Sequence, residues 1–153
     1  MIHGPGNKGN LNLLYGFVKK GLPWPLGAFE NKRTFTSIDN LTFVINKILS
    51  VHIDSGIYNM ADDDALSTNE LISVMCDAME KKAYILRANK SFITFIASMG
   101  DLLRLPLNTF RLNKLTENYV VSNAKIKKAL SIDHMPVDAR SGLTKTIKSF
   151  LEK

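Results

Sequence analysis

Apolar residues at Leu11, Leu14, Tyr15 and Val18 recur at helical spacing and Gly21 interrupts them, so the pattern predicts a helix over Asn10 to Lys20. The following Leu22-Pro23-Trp24-Pro25-Leu26-Gly27 reads as an extended segment, because each proline denies the backbone a donor. Thr34 to Ser37 is short and β-branched or aromatic, which predicts a brief strand, and Leu41, Val44, Ile45 and Ile48 mark a second amphipathic helix. Gly56 to Ala61 is expected to form a strand. Ser67 and Glu70 stand three apart, as a capping box requires, and Leu71, Val74, Met75 and Ala78 follow on one face. Beyond them come a short strand at Tyr84 to Leu86 and a helix from Lys90 to Leu105 closed by Pro106. Tyr119 to Val121 reads as extended and Asn123 to Leu130 as a short basic helix. After Pro136, Leu143, Ile147, Phe150 and Leu151 give the buried face of a last helix. Helices dominate and no repeat appears, so the expected class is α/β: an irregular, mostly helical lobe with short strands, not a free-standing doubly wound sheet.

Composition narrows this little. With 153 residues, 45% of them hydrophobic, residues 1–153 are expected to form a single domain around one core. A lone Cys76 excludes an internal disulfide framework and fits a reducing, cytoplasmic setting. The richest apolar stretch, Phe92 to Leu105, is broken by Gly100, Asp101 and Arg104; it falls short of a membrane span and reads as a buried helix. No basic region followed by an apolar core opens the chain, so no secretory signal is expected. The net charge of +6 comes mainly from scattered lysines, which favour solubility and suit an anionic ligand, either nucleic acid or a diphosphate.

Several candidate chemistries are set aside on local grounds. His3, His52 and His134 stand far apart, without the spacing a metal site needs. The run Asp62-Asp63-Asp64 reads as a solvated loop ahead of a capped helix. Tyr15-Gly16-Phe17-Val18-Lys19 spells Tyr-x-x-x-Lys, in which a lysine can lower a tyrosine pKa for proton transfer, but Tyr15 lies on the apolar face of its helix. No glycine-rich dinucleotide loop is expected.

Five segments taken in order carry a resemblance. Gly4-Pro5-Gly6 is followed by Asn10 and by Gly21-Leu22-Pro23-Trp24-Pro25-Leu26-Gly27, and Asn31-Lys32-Arg33-Thr34 runs on to Asp39-Asn40-Leu41. Tyr58 to Asp63 precedes Leu66-Ser67-Thr68-Asn69-Glu70-Leu71; then come Lys114-Leu115-Thr116, Tyr119 to Asn123 and Lys125 to Leu130 before Pro136. The series resembles the C-terminal part of the extended short-chain dehydrogenases of the NAD-dependent epimerase/dehydratase family, in the UDP-glucose 4-epimerase-like and nucleotide-sugar 4-ketoreductase branch. The chain departs from that pattern at Glu117-Asn118 (usually Gly-Ser), at Ser122 (usually Asp) and at Leu130-Ser131-Ile132 (usually Leu-Gly-Trp).

The resemblance implies a nucleotide-sugar-binding portion of an enzyme of bacterial surface-polysaccharide synthesis, whose N-terminal Rossmann domain and Tyr-x-x-x-Lys pair lie outside this chain. NAD or NADP would serve the complete enzyme, with no cofactor, metal or catalytic residue held here, and the parent would be a homodimer. The UDP-sugar would meet Asn10 and Leu11 at a helix start, Leu26 beside the base, Arg33 on the diphosphate and Lys114 as a second cation. A guanidinium suits that place because its planar fork engages phosphate oxygens bidentately. The alternative is a basic non-catalytic module for nucleic acid or a protein partner. For nucleic acid, however, Phe35, Phe43, Phe92, Phe95 and Phe150 fall in apolar periodic segments and not on a stacking platform.

Overall fold

The computed structural model describes residues 1–7, 9–103 and 108–152, and the backbone alone at Asn10. In chain order its elements are β1 (Ile2–His3), α1 (Asn10–Lys19), β2 (Arg33–Thr34), β3 (Thr36–Ser37), α2 (Ile38–Ser50) and β4 (Ala65–Leu66). Then follow α3 (Thr68–Ala78), α4 (Lys90–Leu103), α5 (Thr109–Thr116), α6 (Ala124–Leu130) and α7 (Ala139–Leu151). Helix α3 is the centre of the packing. Ser67 accepts from the Glu70 amide and Glu70 reaches back to the Ser67 amide, completing the capping box. Leu71, Ile72, Val74, Met75, Cys76 and Ala78 are all buried, against α7 on one side and α1 on the other. Leu11, Met75, Leu143 and Ile147 are fully enclosed there, and each such aliphatic side chain contributes about 1.5–3 kcal/mol by leaving water. Truncating Leu143 to alanine would cost about 2–5 kcal/mol, since the side chain is fully buried where α7 packs on α3.

A smaller cluster, Val44, Ile126, Leu130 and Met135, joins α2 to α6. The strands are two residues each and serve as clasps: β1 lies parallel to β3 (Ile2 beside Thr36, His3 beside Ser37), and β2 lies antiparallel to β4. Ser37 ends β3 and caps α2 by accepting from the Asn40 amide at 3.1 Å.

The observed class is the expected irregular helical lobe, with differences that have local causes. The strand predicted over Thr34 to Ser37 is split at Phe35, whose ring is buried in the main core. Gly56 to Ala61 forms no strand. Side chains take its carbonyls instead: Thr36 Oγ1 donates to Met60 O at 3.1 Å and Asn123 Nδ2 to Ala61 O at 2.9 Å. The strand at Tyr84 to Leu86 is reduced to single bridges, Trp24 with Ile85 and Leu26 with Arg87, and Tyr119 bridges Arg33.

Helix α4 is followed to Leu103; the predicted end at Leu105 and Pro106 lies outside the described residues. Its burial is one-sided, with Ile93, Ala97 and Gly100 inside and Phe92 and Phe95 exposed. In α2 only Asn40 and Val44 are buried, so the predicted apolar face leaves Ile45 and Ile48 in solvent beside Ile38. Helix α5 has no counterpart in the predicted elements; Asn108 caps it by accepting from the Arg111 amide at 2.9 Å.

Candidate functional site

The chain leaves β1 through the Gly4-Pro5-Gly6 turn, closed by Asn7 N donating to Gly4 O at 3.1 Å. Gly6 has φ +80°, open to glycine and strained for other residues. Gly9 stands at the N-cap of α1 and offers the helix no side chain, and the first turn has no acidic residue. Asn12 N turns back to Gly9 O at 3.0 Å, but no side chain caps the amides ahead of it and no acid offsets the positive end of the dipole. Beside them Gly9 N donates to Asn7 Oδ1 at 2.7 Å and Asn12 Nδ2 to Asn7 O at 2.6 Å. That leaves Asn7 Nδ2 and Asn12 Oδ1 buried without a hydrogen-bond partner among the described residues. An uncapped helix start with an orphaned amide donor is suited to an anion. A depression of ≈ 270 Å³ lies between this turn and Ile38.

Asn10 is the first residue of α1; its side chain lies outside what is described. Leu11, next to it, is fully buried. Asn7 and Asn12 were not foreseen as site residues, although asparagines around a glycine N-cap are the signal that could have singled them out.

Contrary to the expectation of no glycine-rich loop, Gly4-Pro5-Gly6-Asn7-Lys8-Gly9 spells G-x-G-x-x-G between β1 and α1. In a dinucleotide fold such glycines let the backbone approach a pyrophosphate. Here a Cβ at Gly4 would lie 2.6 Å from Ile38 Cγ2, so the missing side chain makes room for α2.

Arg33 and Lys114 are brought together by a buried amide. Asn31, 5% exposed, accepts from Thr68 N at 2.9 Å and donates to Thr68 Oγ1 at 2.9 Å and Leu115 O at 3.1 Å. Lys32 N donates to Asn118 Oδ1 at 2.7 Å. These bonds fasten the end of α5 to β2, where Arg33 Nη1 donates to Lys114 O at 2.8 Å. Lys114 Nζ lies 3.2 Å from Glu117, so the patch holds two cations and one acid. The field of Arg33 reaches the Met1 ammonium, which burial and then Arg33 hold below the ordinary amine range. Met1 donates to Thr34 O at 3.3 Å, so β1 runs from the Arg33 neighbourhood to the glycine turn. Leu26, 3% exposed, shares the main core with Leu11, and its carbonyl accepts from Phe29 N at 3.0 Å.

Between these two regions lies a buried polar node. Asp62 accepts from Ser37 N at 3.0 Å and from Asn40 Nδ2 at 2.7 Å. Asn40 in turn exchanges both bonds with the backbone of Val137, at 2.7 and 3.0 Å. Thr146 gives its hydroxyl proton to Gly142 O at 3.0 Å, so in its 2.9 Å pair with His3 the imidazole Nδ1 is the donor. The expected solvated acidic loop is thereby corrected. Asp62 is 1% exposed and departs from the expectation; Asp63 and Asp64 are exposed as expected, though Asp63 also pairs with Lys127 at 2.7 Å and accepts from Asn123 and from Met135 N.

Tyr15 is buried edge-on against Phe150, with its hydroxyl 3.5 Å from the Phe150 carbonyl, in the place of a core residue. Among the described residues no group of three or more His, Cys, Asp or Glu side chains could hold a metal.

No family model matches the chain. A UDP-glucose 4-epimerase of Vibrio cholerae is 31% identical over 86 residues, which is 55% of this chain and 26% of that protein. The Bordetella bronchiseptica enzyme WbmG, solved with NAD and UDP, superposes with a TM-score of 0.64 at 14% identity, over 99% of this chain and 41% of that one. For a UDP-N-acetylglucosamine 4-epimerase from Bacillus cereus the TM-score is 0.65 at 15% identity, over 99% and 44%. A Thermotoga maritima UDP-glucose 4-epimerase, solved with UDP-glucose, gives 0.62 at 14% identity, over 99% and 43%. The chain thus spans about a quarter of its curated relative and less than half of each of these solved structures. Its fold is that of the C-terminal portion of an extended short-chain dehydrogenase of the NAD-dependent epimerase/dehydratase type.

Proposed function

We propose that this chain is a single domain that binds the nucleotide sugar in an NAD(P)-dependent nucleoside-diphosphate-sugar 4-epimerase or 4-ketoreductase of bacterial surface-polysaccharide synthesis, in the cytoplasm. The observation that carries this reading is the α1 start, whose uncapped amides and orphaned Asn7 Nδ2 make a place for a phosphate. Arg33 and Lys114 supply positive charge near the other end of β1. In this reading Asn10 and the backbone of Leu11 meet the diphosphate and sugar and the backbone of Leu26 lies beside the base, both leucine side chains being enclosed in the main core, while Arg33 grips phosphate and Lys114 adds a second cation. WbmG was solved with UDP and the Thermotoga enzyme with UDP-glucose, which supports the ligand class.

Hydride chemistry would be supplied by NAD or NADP on a Rossmann domain outside this chain, and the parent would be a homodimer. The work of this lobe is to bind and orient, which lowers the barrier by fixing the hexose against the reacting centre. Ile38, Ile45 and Ile48, exposed along α2, are the surface we assign to that second domain. No helix among the described residues is long and apolar enough to cross a membrane.

Calorimetric titration of the purified chain with UDP tests the reading. Saturable binding lost on Asn7→Ala with the melting temperature unchanged is expected. Absence of UDP binding by both the chain and the complete enzyme would end it.

A further inference from the structure

A cleft of ≈ 300 Å³ opens where α1 and α3 end, at the lower limit of the ~300–1,000 Å³ of small-molecule sites. Val18, Ile72 and Cys76 give it a buried apolar lining, and Leu22 and Tyr84, 50% and 60% exposed, leave apolar surface open at its mouth. Burial, and then Asp77, raise the Cys76 thiol above its ordinary value against the field of Lys81, so the sulfur is a neutral wall and not a nucleophile. The charged groups that line the cleft are both cations, Lys81 and Lys82; Asp77 and Glu80 stand close in sequence but do not line it.

Helix ends ordinarily present unpaired carbonyls, which disfavour an anion. Here those carbonyls are taken: Val18 O accepts from Gly21 N at 2.9 Å, Lys19 O from Lys81 Nζ at 2.6 Å and Cys76 O from Lys81 N at 2.9 Å. The Lys82 side chain has no hydrogen bond or ion pair among the described residues. The far side of the mouth is fixed by Trp24 N, which donates to Tyr84 O at 2.8 Å.

We infer that this cleft binds a medium-chain fatty carboxylate, with the alkyl chain against Val18, Leu22, Ile72 and Cys76 and the carboxylate at Lys81 and Lys82. Free phosphate would leave the apolar walls unused, and a neutral alkyl chain would leave the lysines unused. A further domain of the parent protein is the poorer cover, because lysine is depleted in interface cores and burying Lys82 without a partner would strand a charge. The ten-residue α1, about 15 Å long, separates the cleft from the proposed phosphate site at its other end, so the inference does not depend on the nucleotide-sugar reading.

Octanoate titrated into the ¹⁵N-labelled chain should give saturable shifts at the amides of Gly21, Leu22, Ile72 and Cys76, with a Kd of about 0.1–1 mM. Octanol, which has the same chain without the charge, should bind roughly fivefold more weakly. Lys81→Gln together with Lys82→Gln should weaken octanoate by roughly the same factor and leave octanol unchanged. Lys82→Gln alone, which removes no hydrogen bond of the fold, should give part of that loss with an unaltered melt. Shifts centred on the exposed Phe92 and Phe95, equal affinity for octanol, or unchanged octanoate affinity in both lysine variants overturns the proposal. So does a peptide of alternating glutamate and leucine that takes the cleft more tightly than octanoate, which would make the occupant a protein segment.

Discussion

His3 and Asp62 face each other with no solvent between them: both side chains are fully shielded, and Nε2 and Oδ2 are 3.7 Å apart across the β1–β3 clasp. Burial by itself would raise the Asp62 carboxyl. The His3 and Asn40 side chains and the Ser37 amide outweigh it and hold the carboxyl below its ordinary value. Replacing Asp62 by alanine orphans the Ser37 amide and one Asn40 donor, an expected loss of about 2–4 kcal/mol by urea denaturation. Asp62→Asn should recover part of it by keeping one acceptor.

The same groups set an acid limit on stability. Asp62, Asp63, Glu70 and Asp138 all have carboxyls lowered in the folded state, Glu70 first by the Ser67 amide and Asp138 first by the Ser141 hydroxyl. A depressed carboxyl contributes stability that is complete above its unfolded value and is lost as pH falls through the folded one. Stability should therefore be level above the ordinary values of 3.8 for aspartate and 4.5 for glutamate and should fall steeply below them. Thermal melts from neutral pH downward would check this, and Asp62→Asn should flatten the acid limb.

Arg33→Ala in the complete enzyme should weaken UDP binding by about 1.5–3 kcal/mol, the range for hydrogen bonds to charged groups. Arg33→Lys should recover only part, since an ammonium lacks the planar fork. The arginine also holds the Lys114 carbonyl, so a matched melt must accompany the titration. Unchanged UDP affinity in a folded Arg33→Ala protein would remove the diphosphate role.

Ser131 follows α6 with φ 51° and ψ 48°, the left-handed conformation, at the position where the resembled family has glycine. Ser131→Gly should raise stability by about 0.5–1 kcal/mol, because glycine reaches that conformation without a Cβ penalty. Ser131→Val should lower it by at least as much. Denaturant midpoints at constant slope are the measurement.

NADH titrated into the purified chain should give no saturable signal, even though Gly4 to Gly9 spells a dinucleotide loop. Ile38 fills the space at Gly4 that a cofactor backbone contact would use. Saturable binding at micromolar NADH would show that the chain does more than receive a substrate.

What could be read from the chain depended on how local its cause was. The α3 start was legible because Ser67 and Glu70 decide it between themselves, and the burial of Leu71, Val74, Met75 and Ala78 follows from their spacing. The run from Asn31 to Leu41 singled out Arg33, whose phosphate role is a proposal that the UDP titration tests. Asp62 was not, since a partner on β1 and two on the β3–α2 junction make an acidic run into a buried node, and no neighbour in sequence announces them. Helix α5 escaped because Thr109 to Thr116 has a weak apolar stripe; only Leu112 is buried, and α4 supplies its support. The exposed faces of α2 and α4 look the same as buried ones by periodicity, which reports amphipathicity and not what covers it.

The hydrogen bond between His3 and Thr146 closes a loop of 143 residues, and Tyr15 meets Phe150 in the same way. Contacts of that reach form late and slowly, because most of the chain's freedom must be given up before they return anything. A nascent chain emerging from the ribosome can build α3 as soon as its capping box is made, yet β1 and α1 must wait for α7. Until the last helix arrives, Leu11 and Met75 lack part of their cover. The interval between those two events is when this polypeptide is most exposed to aggregation and proteolysis.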